Sequence, residues 1–405
     1  MLAMQLAKRT PMFKGWRAVP SSGPLRYRRG QLCLLSLLAC CAALALPREV
    51  SAQSSQQTRQ APLRAASDPP PRCSPSDLRR AAALGAALVP GILVHGTGHW
   101  VLCESKAARK LATYELIGVA TTVGSGAGLA LTGASQYVVA PLALGALTGL
   151  GLFSVTFLAD VYGVLAPVVG RGAPGPVPRL SLQTGVRSIY DPHFEYRWLL
   201  SHAFRYQRGP YWIAPRLDAA LDAHNQRYSL RAGRGLLPRP AGATAPSRTA
   251  LDLQVGVSDH NYNNEGFATT TLELAFTGRL QLEALAPNLK GSFAEGAAGY
   301  AREITRYDGL PTDGNDQLLA RFGFGFYLGR PGGLHGESSF VYDHRRDNFA
   351  GGLKLPGIGA GYAGHVEHRT ELYLAEGIGA AAELTYGSAF IASAYLLMRW
   401  GTGMP

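Results

Sequence analysis

The stretch from His193 to Gln207 constrains the fold of this chain more than any other part of its sequence. Every second residue belongs to a set that is apolar apart from one histidine and has aromatic residues at both ends: Phe194, Tyr196, Trp198, Leu200, His202, Phe204 and Tyr206. The set between them includes Glu195, Arg197 and Arg205. Because the side chains of a strand alternate between its two faces, the stretch predicts a β-strand with one apolar face and one charged face.

The same two-residue period recurs along the chain after a hinge rich in Gly and Pro, Gly170–Pro178. We count about twelve such segments, which is enough to close a sheet on itself, and closure removes the exposed edges that so many strands would otherwise have. The sequence therefore predicts a mainly β fold. It is an antiparallel transmembrane β-barrel of about 12 strands over residues 179–400, preceded by a small apolar α-helical segment.

An outward face about ten residues long with aromatic residues at both ends resembles the strands of bacterial outer-membrane β-barrel proteins. The last predicted strand, Phe390–Trp400, ends on an aromatic residue, as the C-terminal assembly signal of that class does, although five residues follow it here. The resemblance is to the general class. It implies a place in the Gram-negative outer membrane, contact with outer-membrane lipid, and recognition of the C-terminal strand by the barrel-assembly machinery.

The N-terminal region has the features of an export signal. A basic start, an apolar run from Leu32 to Leu46 and the residues Val50-Ser51-Ala52 predict a signal peptide over residues 1–52. Residues 53–76 are rich in Gln, Ser, Pro, Ala and Arg and show no apolar period, so we interpret them as a disordered linker. Acylation of Cys40 and an uncleaved inner-membrane anchor are the alternatives to simple cleavage.

The charge of the chain does not indicate nucleic-acid binding. The whole sequence has a net charge of +12, from 39 Lys and Arg against 27 Asp and Glu. Residues 1–52 hold eight of those basic residues and one of the acidic ones, so the rest of the chain carries only +5, with both signs interspersed. Such a distribution lacks the basic patch that binds a phosphate backbone, and we predict no nucleic-acid partner.

Residues 77–169 are dominated by Ala, Leu, Gly and Val and predict an apolar helical domain that begins after Ser76 as N-cap. We place its helices at about 77–102, with a break at Pro90-Gly91, at 105–132 and at 136–166. The spacings Gly124/Gly128 and Gly145/Gly149 permit close helix contact. We predict a periplasmic domain packed beside or inside the barrel mouth, with anchorage in the inner membrane as the alternative.

Two cysteines, Cys73 and Cys103, follow the predicted signal peptide, and an oxidising periplasm would allow them to pair. A straight helix over residues 77–102 would rise roughly 39 Å, whereas the Cα atoms of bridged cysteines lie within about 7 Å. Geometry therefore argues against the pair unless the chain folds back at Pro90-Gly91.

His95 and His99 are the candidate metal ligands. Residues four apart share one face of a helix, and two histidines at this spacing can hold a transition metal. However, Gly96 and Gly98 weaken a helix there. The sequence contains no second HxxxH and no HExxH motif that would supply further ligands. Hydrogen bonding of both histidines at a helix break is the alternative, and we predict no cofactor.

The inward face of the predicted strands carries charges of both signs. The candidate lumen residues of the first strands are Arg187, Glu195, Arg197, Arg205, Arg216, Asp218, Arg227 and Arg231. Those of later strands include Asp252, Glu283, Glu367, Arg369 and Glu371. Mixed charges that face one another favour a lumen filled by ion pairs over a wide pore. The polar loop Asp343–Asp347 is expected to lie outside the membrane.

These patterns favour a non-enzymatic protein of the Gram-negative envelope with a channel, transport or structural role. One alternative is a barrel-embedded lipid-modifying enzyme, which would need a nucleophile beside a histidine base. Ser201 and His202 cannot form such a pair directly because adjacent residues of a strand point to opposite faces. Another alternative is an envelope protein with a metal-binding helical domain at His95 and His99.

Overall fold

The computed structural model describes residues 76–401, apart from residues 136, 170, 176, 192–196, 238–248, 263–265, 330–332, 346, 356–358 and 376. It confirms the predicted fold class, an antiparallel barrel of 12 strands preceded by an α-helical segment. The predicted signal peptide, all of the predicted linker except Ser76, and the candidate residue Glu195 lie outside the described residues.

The helical segment contains four helices rather than the three expected. They are α1 (Asp77–Leu88), α2 (Thr97–Val101), α3 (Ser105–Leu131) and α4 (Val139–Val169). The Ser76 side chain caps α1 by accepting the backbone N–H of Arg79 at 3.3 Å. The break expected at Pro90-Gly91 is confirmed as a 3₁₀ turn at Pro90–Ile92. It is followed by Gly96, whose φ of 87° lies in the left-handed region that favours glycine.

This interruption folds the chain back on itself. The Nε atom of Arg79, near the start of α1, donates to the carbonyl of Val101 at the end of α2 at 2.7 Å. The neighbouring Cys103 is disulfide-bonded, and Cys73 lies outside the described residues. The chain thus folds back at Pro90-Gly91, the condition under which the sequence left a disulfide open.

The strands follow one another around the barrel in chain order. They are β1 (Leu180–Tyr190), β2 (Trp198–Arg208), β3 (Tyr211–Ala220), β4 (Gln226–Gly235), β5 (Ala250–Asn261), β6 (Ala268–Gln281), β7 (Ser292–Arg306), β8 (Asp313–Gly329), β9 (His335–Asp343), β12 (His365–Ala375), β13 (Ile378–Tyr386) and β14 (Phe390–Trp400). A separate small hairpin, β10 (Leu353–Leu355) and β11 (Gly359–Ala363), lies between β9 and β12. The barrel closes where β1 pairs with β14, with Leu180 opposite Trp400. We call the end of the barrel at Leu180 and Trp400 the near end, and the opposite end, at Tyr190 and Phe390, the far end.

The outer wall of the barrel is apolar, as the alternation predicts. On β2, Leu200 and Phe204 are exposed while Leu199 and Ser201 are buried. Other exposed apolar residues of the wall are Val186, Ile213, Leu230, Val255, Val257, Leu272, Leu274, Phe340, Leu384 and Leu396. A closed barrel satisfies every backbone hydrogen bond within the sheet and can present such a wall to lipid. The architecture is that of a closed antiparallel β-barrel with an apolar outer wall.

The helices pack against the outside of this wall. The Tyr162 ring of α4 lies 5.9 Å from that of Phe324 and 5.8 Å from that of Phe326, both on the outward face of β8. Phe324 is only 3% exposed in consequence. At the near end, Leu111 of α3 shares a buried cluster with Leu282 of the turn between β6 and β7. The helical segment is therefore joined to the barrel by an apolar interface.

Candidate functional site

The lumen is the candidate functional site, and its centre is the fully buried carboxylate of Asp218. Three guanidinium groups surround that carboxylate, with N–O distances of 3.4 Å from Arg187, 3.0 Å from Arg216 and 3.0 Å from Arg227. The Ser201 hydroxyl also donates to Asp218 at 2.7 Å. These groups come from four adjacent strands, β1 to β4, so the cluster joins neighbouring strands along one wall of the lumen. Paired and hydrogen-bonded charges of this kind fill a barrel rather than leave it open.

A second group of ion pairs lies on the opposite wall. Arg279 on β6 contacts Glu337 at 3.0 Å and Glu295 at 3.2 Å, and Arg369 on β12 contacts Glu383 at 2.9 Å. Between these pairs is a cavity of about 170 Å³. Its lining consists of Arg279, Glu295, Arg321, Glu337, Ser339, Glu367, Arg369 and Glu371. A polar cavity of this size holds only a few water molecules.

A loop closes the far end of the lumen. The described residues between 344 and 352, all except residue 346, follow β9 and turn into the mouth of the barrel, where Phe349 is 2% exposed. The Arg227 guanidinium lies 4.3 Å from the centroid of the Phe349 ring, and the His260 ring lies 4.6 Å from it. The Phe349 side chain packs in a buried apolar cluster, the seat of Phe349, that includes Ile189, Leu199 and Ile391. We call residues 344–352 the plug loop.

Two charged residues hold the plug loop to the barrel wall. Asp347 lies 3.0 Å from Arg227, and Arg345 lies 2.7 Å from Glu273 on β6. Asp347 also accepts the backbone N–H groups of Phe349 at 2.8 Å and Ala350 at 3.0 Å, which fixes the turn that carries the phenyl ring. Burial by itself would raise the pKa of Asp347, but the facing cations, Arg227 foremost, hold that pKa well below its usual value.

The structure brings together most of the candidate lumen residues. Arg187, Arg216, Asp218 and Arg227 form one network, and Arg231 lies 3.5 Å from Glu273 beside it. Arg205 is apart from this network. Its guanidinium carbon lies 4.2 Å from the centroid of the Trp212 ring, towards the near end of the barrel. Arg197 precedes the first residue of β2, has an exposed side chain, and donates its backbone N–H to Asp222 in the far-end turn between β3 and β4.

The sequence patterns missed several charged residues of the lumen. Arg279 lies on β6, which runs to Gln281, but was not among the expected lumen residues. The expectation for Glu283 was wrong, because β6 ends before it and Glu283 lies in a 3₁₀ turn. The plug loop was expected to lie outside, and its Arg345 and Asp347 instead contact lumen side chains. The signal available was an apolar Phe349-Ala350 directly after a run of charges.

His95 and His99 do not share one helix, because α2 begins at Thr97. Both are fully buried. The Nδ1 atom of His95 lies 2.7 Å from Thr156 Oγ1, and that of His99 lies 2.6 Å from Asp160 Oδ1. Burial lowers the pKa of His95 below its usual value, against the opposing charges of Glu115 and Asp160. Within the described residues, no three His, Cys, Asp or Glu side chains are grouped as metal ligands.

A pair of polar residues lies on the outward face of β9 and β12. Ser338 Oγ is 3.1 Å from His368 Nε2, and Thr370 Oγ1 lies 2.9 Å from the same hydroxyl. A serine beside a histidine is the arrangement of an activated nucleophile. In the described part of the chain, however, no salt bridge joins His368 to a carboxylate that would orient it, and Thr370 shares its Nε2 atom at 3.3 Å. The sequence patterns did not predict the contact between Ser338 and His368, because it depends on the register of β9 and β12.

Comparisons with known proteins return only structural likenesses. No protein-family model matches the chain, and no curated protein matches it. The outer membrane protein Omp33 of Acinetobacter baumannii is similar at 12% identity and a TM-score of 0.30, over 56% of this chain and 100% of that chain. The β domain of the Bordetella autotransporter BrkA is similar at 15% identity and a TM-score of 0.30, over 55% and 98% respectively. The translocator domain of the autotransporter NalP from Neisseria meningitidis is similar at 10% identity and a TM-score of 0.33, over 58% and 92%.

Proposed function

We propose that the protein is a Gram-negative outer-membrane barrel that acts as a channel for small solutes or ions and is closed by its own plug loop. The observation that carries this proposal is the seat of Phe349, an aromatic side chain from a loop buried in the mouth of the barrel. The described residues of the loop take no part in the strand pairing of the barrel, so the loop can leave the mouth without breaking the sheet.

The attachment of the plug loop is consistent with such a movement. Its contacts include the ion pairs of Asp347 and Arg345, the phenyl ring of Phe349, and two hydrogen bonds, from Asn348 to Thr269 at 3.2 Å and from the backbone N–H of Ala389 to the carbonyl of Ala350 at 3.0 Å. The covalent connections at its two ends run to β9 and to the β10–β11 hairpin. Beneath it, the ion pairs of the Asp218 cluster narrow the lumen, so the open state admits only small solutes. The orientation that fits this role places the near end, with both ends of the barrel sequence, in the periplasm.

The test is conductance across a planar lipid bilayer. We expect wild-type protein to be mostly closed with brief openings, and Phe349→Ala to be open for a much larger share of the time. Burial of a phenyl ring contributes about 3–5 kcal/mol, and its loss shifts the equilibrium of the loop by a corresponding factor. Leu310→Ala, a change at an exposed residue of the β7–β8 loop, is the control and should behave as wild type. A Phe349→Ala protein that is folded but as silent as wild type would contradict the channel and favour a structural role.

A second function has one observation in its favour. The contact of Ser338 with His368 on the lipid-facing side would suit a hydrolase of acyl esters. Incubation of the purified protein with phospholipid vesicles tests it. Release of fatty acid by wild type that is lost in Ser338→Ala, with retained folding, would support the enzyme over the channel.

A further inference from the structure

The hairpin formed by α3 and α4 is built for a lipid environment. No Asp, Glu, Lys or Arg occurs between Glu115 and Asp160, a stretch that includes most of both helices. Large apolar side chains of this stretch are nevertheless exposed, among them Leu116, Ile117, Val123, Leu131 and Leu150. A soluble domain rarely exposes so continuous an apolar surface. Val139–Ala166 of α4 is the one described helix that is long and apolar enough to cross a membrane.

The hairpin also lies at the depth of the lipid-facing barrel wall. Towards the near end, the Tyr162 hydroxyl of α4 donates to the carbonyl of Lys290 at 3.0 Å. About three turns towards the N-terminus of α4, Gly151 packs on Phe322 in the middle of β8. A Cβ added at Gly151 would come within 2.6 Å of the phenyl ring. The helix therefore runs along the outward face of β8 from the near end past its midpoint. From Gly151 to Val139 it extends roughly another 18 Å.

Basic residues are collected at the near-end base of the hairpin. Three of them, Lys106, Arg109 and Lys110, are exposed on the first turns of α3. Arg79 contacts the carbonyl of Val101, four residues before α3 begins. Lys110 donates to the carbonyl of Leu285 in the near-end turn between β6 and β7. This contact places the basic residues at the near end of the barrel. A basic group next to an apolar insertion is the arrangement that binds anionic lipid headgroups.

We propose that the α3–α4 hairpin is inserted from the near side into the same bilayer as the barrel. Acyl chains contact its exposed face, and Lys106 and Arg109 contact lipid phosphates. The surface it would offer to lipid is continuous with the apolar wall of β9 and its neighbours, where Phe340 is exposed. This replaces a periplasmic position for the helices. The inference depends on the barrel spanning a membrane, which is part of the proposed function.

Spin labels on single added cysteines, in full-length protein reconstituted into phosphatidylglycerol-containing vesicles, test the proposal. The variants are Val123→Cys on α3, Val255→Cys on the barrel wall and Leu310→Cys in a far-end loop, all exposed positions. Labelling of the unmodified protein corrects for native cysteines. The readout is relaxation by oxygen, which concentrates in hydrocarbon, and by a polar nickel chelate, which stays in water.

We expect the label at Val123 to match that at Val255, with oxygen access several-fold above nickel access, and the label at Leu310 to show the reverse. Nickel access at Val123 with lipid-like behaviour at Val255 would overturn the inference and leave the barrel proposal intact. Nickel access at Val255 would instead overturn the membrane barrel on which both depend. Exclusion of both reagents at Val123 would also overturn the inference, because it would mean that protein covers the hairpin.

Discussion

The Nη1 atom of Arg227 lies 3.0 Å from Oδ2 of Asp347, and this ion pair joins the plug loop to the barrel wall. The other terminal nitrogen of Arg227 contacts Asp218 at 3.0 Å. One guanidinium group therefore links the closure of the mouth to the charge cluster that narrows the lumen. Movement of the loop leaves Arg227 with Asp218 as its partner rather than exposing an unpaired charge.

Asp347→Asn should favour the open state of the lumen. The substitution removes the charge that pairs with Arg227, while its amide oxygen can still accept the backbone N–H groups of Phe349 and Ala350. Arg227 keeps Asp218 as a partner, so the loss is that of one hydrogen-bonded ion pair, about 1.5–3 kcal/mol, or roughly 10- to 100-fold in the equilibrium between closed and open loop. Single-channel recording measures this as open probability. Asp259→Asn, which removes an exposed ion pair between Asp259 on β5 and Arg306 on β7, is the control. Equal open probabilities for the two variants would contradict the role of Asp347.

Closure should not depend on pH over the neutral and mildly acidic range. The pKa of Asp347 is held well below its usual value, so its contribution is present above the pKa of an unpaired aspartate and is lost only as pH falls through the depressed pKa. We expect the same open probability at pH 8 and pH 5. A rise in open probability on acidification to pH 5 would show that another group controls the loop. The measurement needs wild-type protein at constant ionic strength.

Asp218→Asn should destabilise the barrel. Three guanidinium groups share this fully buried carboxylate, and removal of its charge leaves them facing one another. We expect a loss of about 3–5 kcal/mol. The temperature at which the folded band is lost on a gel without boiling reports it. The matched control is Asp316→Asn, since Asp316 forms an exposed pair with Arg302 and should contribute less than about 1 kcal/mol. Identical transition temperatures for the two variants would mean that the buried cluster adds no stability.

Gly149→Ala and Gly124→Ala should have opposite effects on the helical hairpin. A Cβ at Gly149 would overlap with Thr122 and the carbonyl of Gly118 on α3, whereas nothing lies within 4 Å of a Cβ at Gly124. The first change should cost about 1–3 kcal/mol through overpacking, and the second should gain up to about 1 kcal/mol in helix propensity. Protease resistance of the hairpin in detergent would rank the variants. The reverse order would place Gly149 outside the helix interface.

The barrel could be predicted from sequence because its outward face is a local property. The alternation around Leu200 and Phe204 is visible in one strand at a time, and summing such strands yields the fold. Glycine spacing was a weaker guide. Gly145 and Gly149 do face α3, and Gly128 faces Leu142, but Gly124 of the same pattern faces open space. A spacing shows that close packing is permitted, and the position of the partner decides whether it occurs.

The site was less predictable because it depends on register and on a loop. Arg279 belongs to the lumen site because its guanidinium meets Glu295 and Glu337, which come from other strands. The contact between Ser338 and His368 arises from the pairing of Thr370 with Ser338 across β9 and β12. Asp347 joins the lumen because the plug loop turns inward around Phe349, and no periodicity describes that turn. Each of these needs contacts between residues far apart in the chain.

The pairing of Leu180 with Trp400 sets the order in which this protein can be completed. Eleven residue pairs join β1 to β14, and until β14 exists the first strand presents an open edge. The helical hairpin packs on β8, far from that seam, so it can dock on the wall before the circle is shut. A chain that lacks its final strand would therefore keep an unpaired edge on β1, whereas the surface of β8 on which the hairpin packs would be complete.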